Sequence, residues 1–385
     1  MSKFEKYLDL KINQVRNKNL IYLDNIFTQP ELIRLRNNSI AVVGTNGKTS
    51  TAMFLKNFMD RNNISSLLFT SPHLVSYKER IESSEEIEFD DFYEQIKFFE
   101  NRHNLELGYF ETLFLVSCLA FLNSSYEYFI CEAGIGGKLD TTSILQAKNV
   151  VLTNIGFDHT ELLGDTHDSI LKEKIHISNS IENFFNGVLN TELNELIKKY
   201  THIDNFYYLS QYCHLSNINI EKLAFNEKNY LLALMTFTTM FKELSEPNID
   251  LLSEVNIPGR FEIIQNNPIK IIDGAHNLDG VKESIEKLLS DYKYPKYDVF
   301  IGFKVGKSYK EILEYLSSID SLDIKLIEEN SFSLQESYET LSNYLKQNNI
   351  KFQKVNLDFF SDNKNPSILL GSLYLIGEYK KKELI

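Results

Sequence analysis

The 385-residue chain has only three cysteines, Cys118, Cys131 and Cys213. They show neither close pairing nor metal-ligand spacing, which excludes a disulfide framework and a cysteine-held metal. Cys118 and Cys131 lie in apolar segments, and all three read as reduced core or near-core thiols of a cytoplasmic protein. Net positive charge is also missing. A formal charge of −13 argues against a broad nucleic-acid or anionic-membrane surface and leaves any anionic ligand to a local cluster. No apolar run is long enough to span a bilayer; the longest, Thr112 to Leu122, reads as a buried helix. The start, Met1-Ser2-Lys3-Phe4-Glu5-Lys6, lacks the apolar stretch of a secretory signal. There is no internal repeat and no low-complexity tract. With 43% hydrophobic and 24% charged residues, the chain is an ordinary globular sequence of two-domain length.

What is present centres on Val42-Val43-Gly44-Thr45-Asn46-Gly47-Lys48-Thr49-Ser50-Thr51. The apolar stretch Ile40 to Val43 precedes it, and the helix-compatible stretch Ala52 to Arg61 follows. Strand, glycine turn and helix start make a phosphate cradle. Gly44 and Gly47 permit a tight turn and close approach to an anion, at which the first helical N–H groups point. Lys48 can reach terminal phosphates, and the hydroxyls of Thr49 and Ser50 can support a magnesium ion. The strict Walker pattern has glycine where Val42 stands. A glycine turn before a helix can also be a plain cap, but Gly-Lys-Thr-Ser in this context points to nucleotide binding.

Periodicity predicts an amphipathic helix through Phe4, Tyr7, Leu8, Ile12 and Val15, and another near Glu31 to Arg36. Strands are expected at Ser66 to Phe69, Tyr128 to Cys131 and Asn149 to Leu152, with a pair of short strands over Ile81 to Phe89. Helices are expected at Asp90 to His103, Phe110 to Asn123, His167 to Ser178 and Glu227 to Lys242. From about 205 the pattern loosens, and residues 250–258, closed by Pro258-Gly259, mark a domain boundary. A second βα series follows, with strands at Arg260 to Ile264, Ile269 to Ile272, Val299 to Phe303, Ile324 to Glu328, Phe352 to Leu357 and Ile368 to Leu370. Helices fall at Leu278 to Tyr292, Tyr309 to Ile319 and Leu334 to Gln347. The expected architecture is α/β: a P-loop parallel-sheet ATP-binding domain over 1–255, then a smaller Rossmann-like α/β domain over 256–385. Lys380-Lys381-Lys382 reads as a solvated tail.

Several loops at strand ends carry polar groups, and ligands bind at the carboxyl ends of such strands. Glu132 opens a glycine-rich turn running to Asp140 and suits a magnesium ligand beside a phosphate loop; a flexible turn with a solvated acid is the plainer alternative. Asn154 through His159 ends the next strand, although magnesium prefers oxygen to imidazole. Ile272 through Asn277 closes a strand of the second domain, and Arg260 could act as a bidentate phosphate donor. Lys174 alone reads as a surface lysine.

Taken in order, these stretches resemble the Mur ligase superfamily, and within it the folylpolyglutamate synthases, including the bacterial bifunctional dihydrofolate synthases. The resemblance rests on Gly44-Thr45-Asn46-Gly47-Lys48, Ser71-Pro72-His73-Leu74, Tyr109-Phe110-Glu111, Glu132 through Asp140, Asp158-His159, Glu173-Lys174, Pro258-Gly259-Arg260-Phe261-Glu262 and Asp273-Gly274-Ala275-His276-Asn277. Only about forty residues precede the phosphate loop, which favours the folate branch over the peptidoglycan ligases. The resemblance implies ATP-dependent ligation of L-glutamate to dihydropteroate and to the γ-carboxylate of folates through an acyl phosphate. It implies ATP and magnesium at two sites, Ser71, Glu132 and Thr49 at one metal and His159 at the second, and a carbamylated Lys174. Gly44 to Ser50, Asn229, Arg260, Asp273 and His276 would contact ATP. Tyr109, Phe110, Glu111, Leu139, Asp140 and Thr141 would hold the pteroate-type substrate, with Phe110 against its flat ring. The partners implied are small molecules, with neither nucleic acid nor membrane, and a monomer is the default.

The chain departs from the family in places. Gly47-Lys48-Thr49-Ser50 replaces the usual Gly-Lys-Gly-Ser/Thr, leaving open which hydroxyl approaches magnesium. Lys174-Ile175-His176-Ile177 replaces Lys-Ala-Gly-Ile, and Lys138 stands for an arginine. A monofunctional folylpolyglutamate synthase, another Mur-type amino-acid ligase and a non-ligating P-loop module are the alternatives. The last leaves Asp273 to Asn277 without a purpose.

Overall fold

The computed structural model describes residues 2–12, 26–201, 203, 205–242, 256–328 and 334–383. Two compact units emerge: Met1–Ser71 with Arg80–Val255, and Pro72–Glu79 with Asn256–Ile385. The excursion Pro72–Glu79 was counted with the first domain in the sequence reading but packs with the second unit. Leu74 is the reason, since its side chain lies among Ile272, Leu373 and Ile376. The Glu79 carboxylate closes the excursion by accepting from the N–H groups of Leu74, Val75 and Ser76.

Among the described residues of the first unit, seven strands form one sheet, ordered β3-β2-β4-β1-β5-β6-β7. They are β1 (Ser39–Val43), β2 (Ser66–Phe69), β3 (Ile81–Glu82), β4 (Tyr128–Glu132), β5 (Asn149–Leu152), β6 (Asn183–Asn186) and β7 (Asn205–Tyr208). Pairing is parallel except at the edge strand β3. The helix Lys48–Arg61 packs on the sheet and against the helix Phe225–Phe241 through Phe54, Phe58 and Tyr230. The helix Tyr109–Leu122 is buried along most of its length. No described helix is long and apolar enough to cross a membrane, and all three cysteines are free and buried.

Several expectations need correction. The N-terminal helix is Lys3–Asp9 and stops short of Ile12, which is 56% exposed. The chain turns there because Lys11 buries its amine against Glu100. Val15 and residues 250–255 of the expected boundary lie outside the described residues. Ile81 to Phe89 yields one two-residue strand, since four polar residues, Ser83 to Glu86, follow Glu82 and Phe89 already opens the helix Phe89–His103. Strands β6 and β7 were not anticipated. They are short and rich in Asn, Phe and Tyr, and they gain order from cross-strand ring pairs, Phe184 with Phe206 and Phe185 with Tyr207.

In the second unit, β8 (Glu262–Asn266), β9 (Ile269–Ile272), β10 (Tyr297–Ile301), β11 (Leu322–Ile327), β12 (Gln353–Val355) and β13 (Ser367–Leu370) form a sheet ordered β12-β11-β10-β13-β9-β8. All pair in parallel except β8, which runs antiparallel to β9. The helices Leu278–Asp291, Lys310–Ser317 and Tyr338–Gln347 bury aliphatic faces against it. Lys380 to Lys382 is helical rather than a loose tail, with Lys381 and Lys382 exposed to solvent as expected. It forms the last turn of the helix Leu373–Glu383, where positive charge suits the helix dipole. Lys380 pairs with Glu262 at 2.7 Å and Lys382 with Asp358 at 2.5 Å.

Candidate active site

The phosphate loop leaves the fully buried strand β1 and enters the helix Lys48–Arg61 at Gly47. Gly47 has φ +81°, where a side chain is strained, and an added Cβ would lie 2.4 Å from Asn229 Oδ1. The helix Phe225–Phe241 thus brings Asn229 against the loop. Three residues after β5 fasten the loop's other side. Asn46 N donates to Asn154 Oδ1 at 2.8 Å, Thr153 Oγ1 donates to the Asn46 carbonyl at 2.6 Å, and Thr45 Oγ1 bonds to Gly156 at 3.0 Å. The first helical N–H groups, which have no acceptor within a helix, open onto the cradle. Lys48 Nζ lies over it, donating to the carbonyls of Gly44 and Thr45 at 3.1 and 3.0 Å.

Glu132 is the last residue of β4 and is only 2% exposed. Parallel pairing sets Val42 opposite Glu132, so strand register brings the carboxylate beside the phosphate loop. Thr49 Oγ1 donates to Glu132 Oε1 at 3.0 Å, and the Ser71 N–H donates to Oε2 at 3.0 Å. Among the described residues no three His, Cys, Asp or Glu side chains form a metal-holding group. A carboxylate with an adjacent hydroxyl nevertheless fits magnesium, which takes few protein oxygens and completes its shell with phosphate and water.

Lys174 is not the surface lysine that spacing alone implied: it is 4% exposed, and its Nζ donates to the Gly44 carbonyl at 2.7 Å. Burial, aided by the nearby Lys48 charge, lowers its pKa from 10.5 to about 7. The glycine-rich turn after β4 drapes over the end of the helix His167–Ile175 that carries it. Lys138 N donates to the Glu173 carbonyl at 2.7 Å, and Leu139 N donates to Glu173 Oε1 at 2.8 Å. An added Cβ at Gly137 would lie 2.5 Å from the Glu173 carbonyl oxygen, so only glycine allows the approach. Sequence reasoning missed Thr153, and it carried Glu173 and Asn154 only as members of the Glu173-Lys174 and Asn154-to-His159 stretches, with no individual role.

His159 has φ +51°, a strained backbone of the kind found at functional sites. Its ring lies 3.8 Å from Asp158 Oδ2 and 3.5 Å from Glu161 Oε1. Asp140 is turned inward, with Oδ2 accepting from Ile135 N and Oδ1 from Thr142 N and Oγ1. Thr141 Oγ1 meets Glu111 Oε1 at 3.5 Å, while Leu139 is 57% exposed. Phe110 is 7% exposed, packs on Phe69 and Phe114 and abuts Gly134, which leaves little of its ring for a ligand. Tyr109 lies under Arg80, with the guanidinium 5.1 Å from the ring centroid.

In the second unit, Asp273 follows β9 and is buried. Its carboxylate accepts from Ser284 Oγ at 2.5 Å and Ala275 N at 3.1 Å. Burial raises its pKa although Ser284 and the Arg260 charge oppose the rise. An added Cβ at Gly274 would lie 3.2 Å from Arg260 Nη1, and His276 Nδ1 donates to the Gly274 carbonyl at 2.8 Å. Asn277 caps the helix Leu278–Asp291 by accepting from Gly280 N. Arg260, Asp273 and His276 thus gather around one strand end.

Comparisons with known proteins identify the family and the fold. A family model for the Mur ligase middle domain matches residues 42–266, more than half of the chain. A dihydrofolate synthase/folylpolyglutamate synthase of Buchnera aphidicola subsp. Baizongia pistaciae is 30% identical over 88% of this chain and 85% of its own. Among solved structures, Escherichia coli FolC in complex with DHPP and ADP superposes with a TM-score of 0.79 at 20% identity, covering 99% of this chain and 98% of its own. The bifunctional folylpolyglutamate synthase/dihydrofolate synthase of Yersinia pestis with AMPPNP and a Mn ion gives 0.77 at 19% identity, covering 99% and 97%. The chain belongs to the Mur ligase family, in the branch of the dihydrofolate and folylpolyglutamate synthases.

Proposed function

We propose that the chain ligates L-glutamate, at the expense of ATP, to dihydropteroate and to the γ-carboxylate of folates. The observation that carries this reading is the meeting of Lys48, Thr49, Glu132, Ser71 and Lys174 at one sheet edge. A carboxylate is a poor electrophile toward an amine. Transfer of the terminal phosphoryl group of ATP to the acceptor carboxylate supplies a leaving group, and the glutamate amine then displaces phosphate.

Residues 44 to 50 cradle the phosphates, and Lys48 moves from the Gly44 and Thr45 carbonyls onto the transferring group. Asn229 borders the nucleotide beside Gly47. Thr49, Glu132 and Ser71 would hold one magnesium and His159 a second, and the chemistry such ions would supply is charge stabilisation at phosphoryl oxygens. Lys174 has the chemistry for carbamylation, because that reaction needs a neutral amine and its pKa lies at about 7. Tyr109, Glu111, Leu139 and Thr141 contact the acceptor; Phe110 and Asp140 shape its pocket from behind.

Phosphate release by purified protein with Mg-ATP tests the reading, with dihydropteroate, tetrahydrofolate and L-glutamate added singly and in pairs. Release that needs glutamate plus either acceptor is expected. Release with one acceptor alone reduces the proposal to a single ligation. Release indifferent to all three overturns it.

A further inference from the structure

Away from the phosphate and metal residues lies a buried ion pair. Lys11, just past the helix Lys3–Asp9, and Glu100, in the helix Phe89–His103, are each 5% exposed. Lys11 Nζ donates at 2.7 Å both to Glu100 Oε1 and to the Leu107 carbonyl. The Leu107 N–H donates to the same Glu100 Oε1 at 2.9 Å. One charged pair therefore holds both backbone groups of Leu107. It rests on the Tyr7 ring, 4.4 Å from Lys11 Nζ, and Lys97 reaches Glu100 Oε2 at 3.1 Å. Burial acts to raise the Glu100 pKa, but the donors from Lys11 and Leu107 hold it below the ordinary carboxylate value.

Desolvation offsets most of the attraction in a buried ion pair, and an apolar pair of similar volume stabilises a core as well or better. What the charged pair adds here is fixed geometry, passed on through one residue. Gly108 is the N-cap of the helix Tyr109–Leu122, and its carbonyl accepts from Thr112 N at 2.9 Å and Thr112 Oγ1 at 2.8 Å. The first turn of that helix carries Tyr109, Phe110 and Glu111. Phe110 touches Gly134 and Glu111 meets Thr141, so a shift at Leu107 moves the wall of the acceptor pocket.

We infer that Lys11 and Glu100 are positioning residues for the acceptor: by pinning Leu107 they set the first turn of the helix Tyr109–Leu122 against the glycine-rich turn. The inference rests on the ligase reading above.

Two variants test it. Lys11→Met with Glu100→Leu removes both charges together, so neither is left buried alone. Lys11→Arg keeps a positive charge beside Glu100 and changes the donor geometry and the size of the head group. Phosphate release is measured with dihydropteroate varied at saturating ATP and glutamate, then with ATP varied, and melting by circular dichroism reports the fold. The KM for dihydropteroate should rise about tenfold in the double variant and less in Lys11→Arg, from the loss of hydrogen bonds to Leu107. The KM for ATP should stay near the parent value, while the melting temperature should fall by several degrees in the double variant because the buried N–H and carbonyl of Leu107 lose their partners. An unchanged acceptor KM in a folded double variant, or equal rises in both KM values, overturns the inference. Should the double variant not fold, Lys11→Arg decides by the same comparison. A parent protein with no acceptor-dependent release instead overturns the ligase reading, and this inference with it.

Discussion

Lys174→Met removes the buried amine from the site while keeping an unbranched side chain. In the folded chain this amine has a pKa of about 7, lowered from 10.5 by burial and the Lys48 charge. In the unfolded chain it titrates near its ordinary value. Between those two pH values the unfolded state holds more protons, so stability rises with pH across the window. Below about pH 7 both states are protonated and the full penalty is present; near pH 10.5 it has gone. The shift corresponds to on the order of 5 kcal/mol. Loss of the hydrogen bond to Gly44 offsets about 1 kcal/mol of that gain. At pH 7 the variant should therefore be more stable than the parent by roughly 4 kcal/mol, with the difference shrinking as pH rises. Urea unfolding followed by circular dichroism suits a chain without tryptophan. Buffers depleted of carbon dioxide keep the parent amine unmodified. The same variant should lose glutamate-dependent phosphate release, and bicarbonate should stimulate only the parent. Stability curves that run parallel from about pH 7 to about pH 9.5 would refute the buried-amine reasoning.

Two other substitutions probe the site. Gly137→Ala forces a methyl group against the Glu173 and Lys174 carbonyls, at 2.5 and 2.7 Å. It should cost about 1–3 kcal/mol and lower turnover further by displacing Lys174; parental turnover in a calorimetrically normal protein would contradict this. Glu132→Gln keeps the shape beside Thr49 and Ser71 but removes the charge. Its magnesium concentration for half-maximal activity should rise about tenfold or more, and an unchanged magnesium titration would remove Glu132 from the metal site.

The phosphate loop, Lys48 and the alternation of strands with helices were legible because they are local. A buried strand, a glycine turn and a helix start occupy consecutive residues, and their backbone chemistry follows from that order. The same locality explains why the strand cores of the second unit were foreseen to within a few residues. The resemblance to the Mur ligases added roles for distant residues, but no contacts among them.

Tertiary structure decided the rest. Glu132 meets Thr49 and Ser71 only because β4 lies between β1 and β2, a strand order that no sequence window contains. Lys174 looks solvated in its own helix pattern and is buried because the turn after β4 folds over it. The packing of Phe110 on Phe69 and Phe114 joins residues of two elements that no sequence window contains. Lys11 stands 89 residues from Glu100, and Lys380 stands 118 from Glu262. Sequence by itself determined the local elements and the phosphate cradle, since hydrophobic period and turn chemistry act over neighbouring residues. Which charges are buried, which loops are pinned and which hydroxyl faces the carboxylate were set by strand order and packing between residues far apart in the chain.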